Sequence, residues 1–235
     1  MDKSILIVAA ERGLGLGMAR GFFARGWKVF GTAREGDDMS ELRKAGEADP
    51  CRLEMGTLDV TEPAQITQLK EQLGTRRFDV IFLNAGIYGP LHQSSLKVTP
   101  QEITTLMMTN TFGPIRVARS LLEDHLKPRG TLAFMSSHRA SIEINREGGL
   151  ELYRASKVAL NMLARGLYAE NSLNGLTVLS IHPGWVRTAM GTLDGTVEAE
   201  IEIEPSIQGI AQVVERHAGS GDNLYLDYLG NPLPW

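Results

Sequence analysis

The chain has 235 residues, of which 43% are hydrophobic, 22% charged and 6% aromatic. That composition is globular, and the length is enough to withdraw roughly 70–75% of the extended surface from water without a disulfide or structural metal. The formal charge is 24 minus 28, or −4, with no basic run, which excludes the electrostatic footprint of a nucleic-acid or anionic-membrane binder.

Cys51, the single cysteine, has no partner within the chain, and the histidines (His92, His125, His138, His182, His217) fall into no metal-binding spacing, so no metal is expected. The first apolar run, Ile5 to Ala10, stops at Glu11 and Arg12 and is too short for a signal peptide. No segment approaches the roughly 18 apolar residues that span a bilayer. A cytoplasmic protein acting on a small molecule is the expectation.

In chain order, apolar runs of strand length occupy 4–10, 28–33, 78–84, 130–136 and 176–182, with further strands expected at 52–58 and 223–226. Helical periodicity alternates with them at 14–25, 63–73, 100–122, 152–171 and 205–217. Residues 5–8 and 80–83 are apolar on consecutive positions, as strands buried on both faces of a parallel sheet are. The expected fold class is α/β: a doubly wound parallel sheet, or Rossmann fold, in three α/β/α layers, forming a single domain over 1–235. The least periodic stretches, 139–149 and 188–204, follow strands, on the side where open α/β sheets hold ligands, and 188–204 reads as a mobile lid.

The first strand runs into the first helix through Val8-Ala9-Ala10-Glu11-Arg12-Gly13-Leu14-Gly15. Glycines there let the backbone approach a pyrophosphate, and the helix N-terminus offers free N–H groups and partial positive charge. The segment resembles the TGxxxGxG turn of the short-chain dehydrogenase/reductase family, with Val8 in place of Thr and Ala9 in place of the first Gly. An alanine forced to positive φ would cost on the order of 1 kcal/mol.

Further family landmarks follow. Asp59, before Val60, resembles the aspartate that meets the adenine amino group, and Asn84-Ala85-Gly86 resembles the NAG turn after the fourth strand. The resemblance therefore spans most of the chain and implies cofactor contacts from Ala9, Glu11, Arg12, Gly13, Leu14 and Gly15. At the end of the second strand an acidic residue would accept the ribose hydroxyls of NAD, but here Ala33 is followed by Arg34. A guanidinium can grip a 2′-phosphate through paired charge-assisted hydrogen bonds, with Arg12 as a second cation, so the expected cofactor is NADP(H).

Tyr153 and Lys157 are four apart on a predicted helix and so share a face. A cation about 5 Å from the phenol contributes roughly 3 kcal/mol at an effective dielectric of 20, about two pKa units downward, toward a usable acid. Tyr153-Arg154-Ala155-Ser156-Lys157 resembles the family's YxxxK signature, and Ser137 resembles the serine that hydrogen-bonds the reacting oxygen, leaving Ser136 structural. Pro114 lacks the N–H that would bond the carbonyl of Asn110, which frees that carbonyl. The resemblance makes Asn110 the anchor of a water linked to Lys157.

Pro183-Gly184-Trp185-Val186-Arg187-Thr188 resembles the PG segment beside the nicotinamide, with Thr188 on the carboxamide and the backbone near Val186 orienting the ring. Tyr153 and Lys157 also count among the implied cofactor contacts. His138 and Trp185 read first as structural, a satisfied histidine and a core tryptophan. The whole pattern is most like the C-factor-like carbonyl reductase branch. It implies NADPH-dependent reduction of an aldehyde or ketone to an alcohol, or the reverse, by a homodimer or homotetramer. The alternatives are an NADP-binding regulatory or signalling protein and an epimerase or dehydratase on the same scaffold.

Overall fold

Consecutive apolar residues divide between two faces of one sheet, and that division explains the architecture. In strand β1 (Ser4–Val8), Ile5 and Ile7 join one cluster while Leu6 and Val8 join another. The first cluster packs Val80, Phe82, Leu179 and Ile181 of the sheet against Met18, Phe22, Ile207 and Val214. The second packs Ile81, Leu83, Leu132 and Phe134 against Ile66, Leu69, Leu121 and Leu160. Because side chains alternate along a strand, a chain apolar at every position needs helices on both sides.

The computed structural model describes residues 3–235. Around β1 it places β2 (Lys28–Ala33), β3 (Leu53–Thr57), β4 (Phe78–Leu83), β5 (Leu126–Met135), β6 (Thr177–His182) and β7 (Asn223–Asp227). The order is β3-β2-β1-β4-β5-β6-β7, and every pairing is parallel. Chain order reverses direction between β1 and β4, so a crevice opens beyond their carboxyl ends. The doubly wound sheet expected from the sequence is the sheet observed.

Helices α1 (Gly13–Ala24), α2 (Ser40–Ala45), α3 (Pro63–Leu73), α4 (Pro100–Met107), α5 (Gly113–His125), α6 (Glu151–Asn171) and α7 (Ile203–His217) complete the layers. Helix α4 begins with a reciprocal cap between Thr99 and Glu102, with Pro100 at its first position. The single helix expected at 100–122 is instead α4 and α5 joined by a π-turn, Met108–Phe112. The region 188–204 is anchored at its far end, where Val186 bridges Ile201 and the Arg187 N–H donates to the Ile201 carbonyl, and α7 starts two residues earlier than Pro205. Among the described residues no helix is long and apolar enough to cross a membrane.

Candidate active site

The turn after β1 carries the strain foreseen for it, since Ala9 sits at φ +63°. Two contacts over-determine that conformation. The Asn84 side-chain amide donates to the Ala9 carbonyl at 2.8 Å. Any Cβ on Gly15 would come within 1.9 Å of the same oxygen, so only glycine lets α1 start there. Gly13, at φ +52°, precedes Leu14 and lies under the Thr188 methyl, which brings the 183–188 segment against the turn.

Beside the turn opens a cleft of about 430 Å³. Ala9, Glu11, Arg12, Arg34, Asp59 and Val60 line it, with Ala85 and Gly86 from the loop after β4. Arg34 and Arg12 are both there, as the sequence implied, but each already has an anionic neighbour. Arg34 makes two bonds to Asp37, at 3.0 and 3.1 Å, which hold its pKa up and that of Asp37 down. Arg12 lies 3.4 Å from Glu11. Asp59 accepts from the backbone and hydroxyl of Thr61, fixing the loop that forms the far wall.

Beyond the Gly86 side of the cleft, α6 presents Tyr153 and Lys157 with the lysine ammonium 5.8 Å from the phenol ring centre. Ser137, just past β5, is buried, and its hydroxyl accepts from the Arg139 N–H at 3.1 Å. Ser137 also opposes the rise in the Tyr153 phenol's pKa. Ser136 instead donates to Asn161 at 2.7 Å inside the protein, the structural part assigned to it. Lys157 donates to the Met135 carbonyl at 2.9 Å. A Cβ on Gly86 would stand 3.3 Å from the ammonium and 3.5 Å from the Asn110 amide oxygen, so those groups face one small space that glycine keeps open.

Electrostatics at this end correct one expectation. Burial pushes Tyr153 up to about 12 rather than down, and burial lowers Lys157 to about 8. Desolvation is the leading cause of both shifts. Asn110 departs from expectation in a smaller way: it lies in the π-turn, and its side chain is fully engaged. The amide oxygen accepts from the Ile87 N–H at 2.7 Å, and the nitrogen donates to the Ile87 carbonyl and the Ser156 hydroxyl at 2.9 and 3.0 Å. Pro114 removes the N–H that an α-helical register would have paired with the Asn110 backbone carbonyl.

Two residues that the sequence did not point to hold this arrangement. Gln93 accepts from the Tyr153 N–H at 2.9 Å and donates to the Tyr88 carbonyl at 2.9 Å, which lays the Tyr88 ring on Tyr153, 5.9 Å between centres. Tyr225 of β7 donates its hydroxyl to the Ser137 carbonyl. His138 meets His182 ring to ring, with nitrogens 3.2 Å apart, and burial lowers the pKa of both, taking His182 down to about 3, so burial holds this pair neutral. Trp185 is not core: it is 43% exposed, and its indole N–H donates to the Gly191 carbonyl at 2.6 Å.

The residues fit a dinucleotide. The crevice combines a glycine-opened helix start and two arginines with a free carboxylate oxygen, the Glu11 Oε2, which is buried without a hydrogen-bond partner among the described residues. Residues 3–197 match the family model described as short chain dehydrogenase. Over 160 residues the chain is 32% identical to C-signal of Myxococcus xanthus, an alignment covering 67% of this chain and 92% of that one. A carbonyl reductase of Pseudomonas aeruginosa PAO1, solved in complex with NADP, superposes with a TM-score of 0.90 at 38% identity over 100% of both chains. An NADPH-bound carbonyl reductase from chicken fatty liver superposes at 0.84 and 27% identity, covering 100% of this chain and 99% of that one.

Proposed function

The chain belongs to the short-chain dehydrogenase family, and on that premise we propose that it is an NADP(H)-dependent oxidoreductase that interconverts an aldehyde or ketone with its alcohol. The observation that supports this reading is the position of Gly86: it lines the cleft that also holds Arg12 and Arg34, and it faces Lys157 and Asn110, with Tyr153 beside the lysine. Gly13, Leu14, Gly15, Asp59, Val60 and Asn84-Ala85-Gly86 would hold the adenosine and pyrophosphate. Pro183, Gly184, Val186 and Thr188 would hold the nicotinamide. The chemistry NADPH supplies when bound is a hydride to the carbonyl carbon.

The chain's own part is the proton and its placement. A phenol held at about 12 keeps its proton at neutral pH, and that proton is still acidic enough for an alkoxide, a stronger base than phenolate. Ser137 donates to the oxygen on which negative charge gathers. Once Tyr153 has given up its proton, the Lys157 ammonium, still mostly charged at pH 7, is the neighbour that stabilises the phenolate. The Asn110 carbonyl would hold the water that returns a proton to Lys157. Exposed Phe112 and Met162, beside or on the long helices, suit assembly as a homodimer or homotetramer.

The test is NADPH oxidation followed with a panel of aldehydes and ketones. Turnover with at least one of them supports the reading. Tight NADPH binding with no turnover on any of them would instead favour a cofactor-bound signalling role, the reading that similarity to a protein named C-signal favours.

A further inference from the structure

Adjoining the adenosine cleft is a second hollow of about 340 Å³, lined by Glu11, Arg12, Arg34, Asp37, Asp38 and Glu41. Four carboxylates thus line the hollow that also holds the two guanidiniums a 2′-phosphate would need, although Glu41 is itself paired with Arg20. Asp37 is bound to Arg34 on the open side. Glu11 is different, because it lies in the glycine turn itself and lines both hollows, with a side chain only 11% exposed. One of its oxygens lies 3.4 Å from Arg12. The other is buried with no hydrogen-bond partner among the described residues. A buried carboxylate oxygen left unpaired is costly, so its position points to a donor that arrives with the ligand.

We infer that Glu11 is the specificity-determining residue of the adenosine end: its free oxygen accepts a ribose hydroxyl, and its charge opposes a 2′-phosphate while holding Arg12 aside. Strand β2 ends in Ala33-Arg34 and so lacks the carboxylate that dinucleotide-binding folds place there for ribose hydroxyls. Glu11 brings one to the same cleft from the neighbouring turn. The consequence is a tempered preference, in which Arg34 favours the phosphorylated cofactor and Glu11 limits the margin. The inference rests on the dinucleotide reading proposed above.

Calorimetric titration of the full chain with 2′,5′-ADP and with 5′-AMP tests it without any turnover. In Glu11→Gln, which keeps the shape and an acceptor oxygen, 2′,5′-ADP is expected to bind about fivefold tighter, the effect of relieving one partly screened like-charge contact. Binding of 5′-AMP should change less than twofold. In Glu11→Ala, where the hydroxyl acceptor is lost, 5′-AMP should weaken about tenfold. Equal shifts for both ligands, or none, in Glu11→Gln would overturn the inference while leaving the dinucleotide reading intact. A folded wild-type chain that binds neither nucleotide would overturn the dinucleotide reading itself.

Discussion

The two ends of the crevice are built on opposite principles. The Arg12–Arg34 end, which we propose holds the adenosine, is charged and open, and its cations are already paired: Arg34 is 57% exposed and tied to Asp37, and Arg12 is 73% exposed beside Glu11. The Tyr153–Lys157 end is more buried and more densely bonded, with Asn110, Ser156 and Lys157 buried and bonded to Ile87, Tyr153 and Met135. Solvent screens the first, so a change there shifts affinity by modest factors. In the second, buried polar groups depend on one another for partners, so a change removes function or fold. The chain's departures from the family turn, Val8 and Ala9, fall at the tolerant end.

The sharpest way to break this contrast is Lys157→Met. Turnover should fall roughly 10²- to 10⁴-fold, the usual worth of an acid–base group, yet the melting temperature should not drop, because a buried charge disappears with the side chain. Loss of several degrees would show that the chemical end depends on the ammonium for its fold as well. The wild-type pH profile carries the same information. Burial lowers the lysine in the folded chain to about 8 from 10.5, so between those values the unfolded chain holds the extra proton. This group therefore makes stability rise with pH through that window, while turnover falls above about pH 8 as the charge is lost. Both trends should vanish in Lys157→Met.

Next in size are the serines. Ser137→Ala should cost about 10²- to 10³-fold in kcat as a donor to developing negative charge. Ser136→Ala, which breaks only the bond to Asn161, should leave kcat within a few-fold and lower stability instead. Reversed outcomes would exchange the two roles.

The adenosine end predicts smaller effects. Arg34→Asp should weaken NADPH about tenfold and move preference toward NADH, measured as the ratio of kcat/KM for the two cofactors. An unchanged ratio would remove Arg34 from phosphate recognition. Ala9→Gly should stabilise the fold by about 1 kcal/mol, read as a Tm higher by about 2–4 °C, by relieving a positive φ that alanine tolerates poorly. A lower Tm would mean that the turn gains more from the methyl than it loses in strain.

Most of the fold was legible because parallel strands buried on both faces write themselves as unbroken apolar runs, and all seven strands correspond to such runs or to short stretches between turn signals. Helix α2 was not, because six residues give no room for a period. The π-turn was missed for a related reason: a single wide turn leaves the apolar spacing of 100–122 nearly intact, and only Pro114 hinted at the break. At the site, Tyr153 and Lys157 were legible because four residues of helix bring them together whatever the rest of the chain does. Gln93 lies 60 residues from its partner Tyr153, and Tyr225 lies 88 from Ser137. Contacts of that span are set by the packed sheet and leave no local mark. The direction of the Tyr153 shift was misjudged on the same ground, since spacing shows a nearby charge but not the depth of burial.

A single-turnover experiment with Tyr153→Phe tests the central claim most directly. Wild type and variant should both bind NADPH, the variant within about tenfold because it loses one hydroxyl contact but keeps the ring packed against Tyr88, and with saturating NADPH and an accepted aldehyde only wild type should oxidise the bound cofactor within seconds. Oxidation by Tyr153→Phe at the wild-type rate would show that the proton comes from elsewhere, and the assignment of this crevice as a carbonyl-reducing site built around Tyr153 would fall.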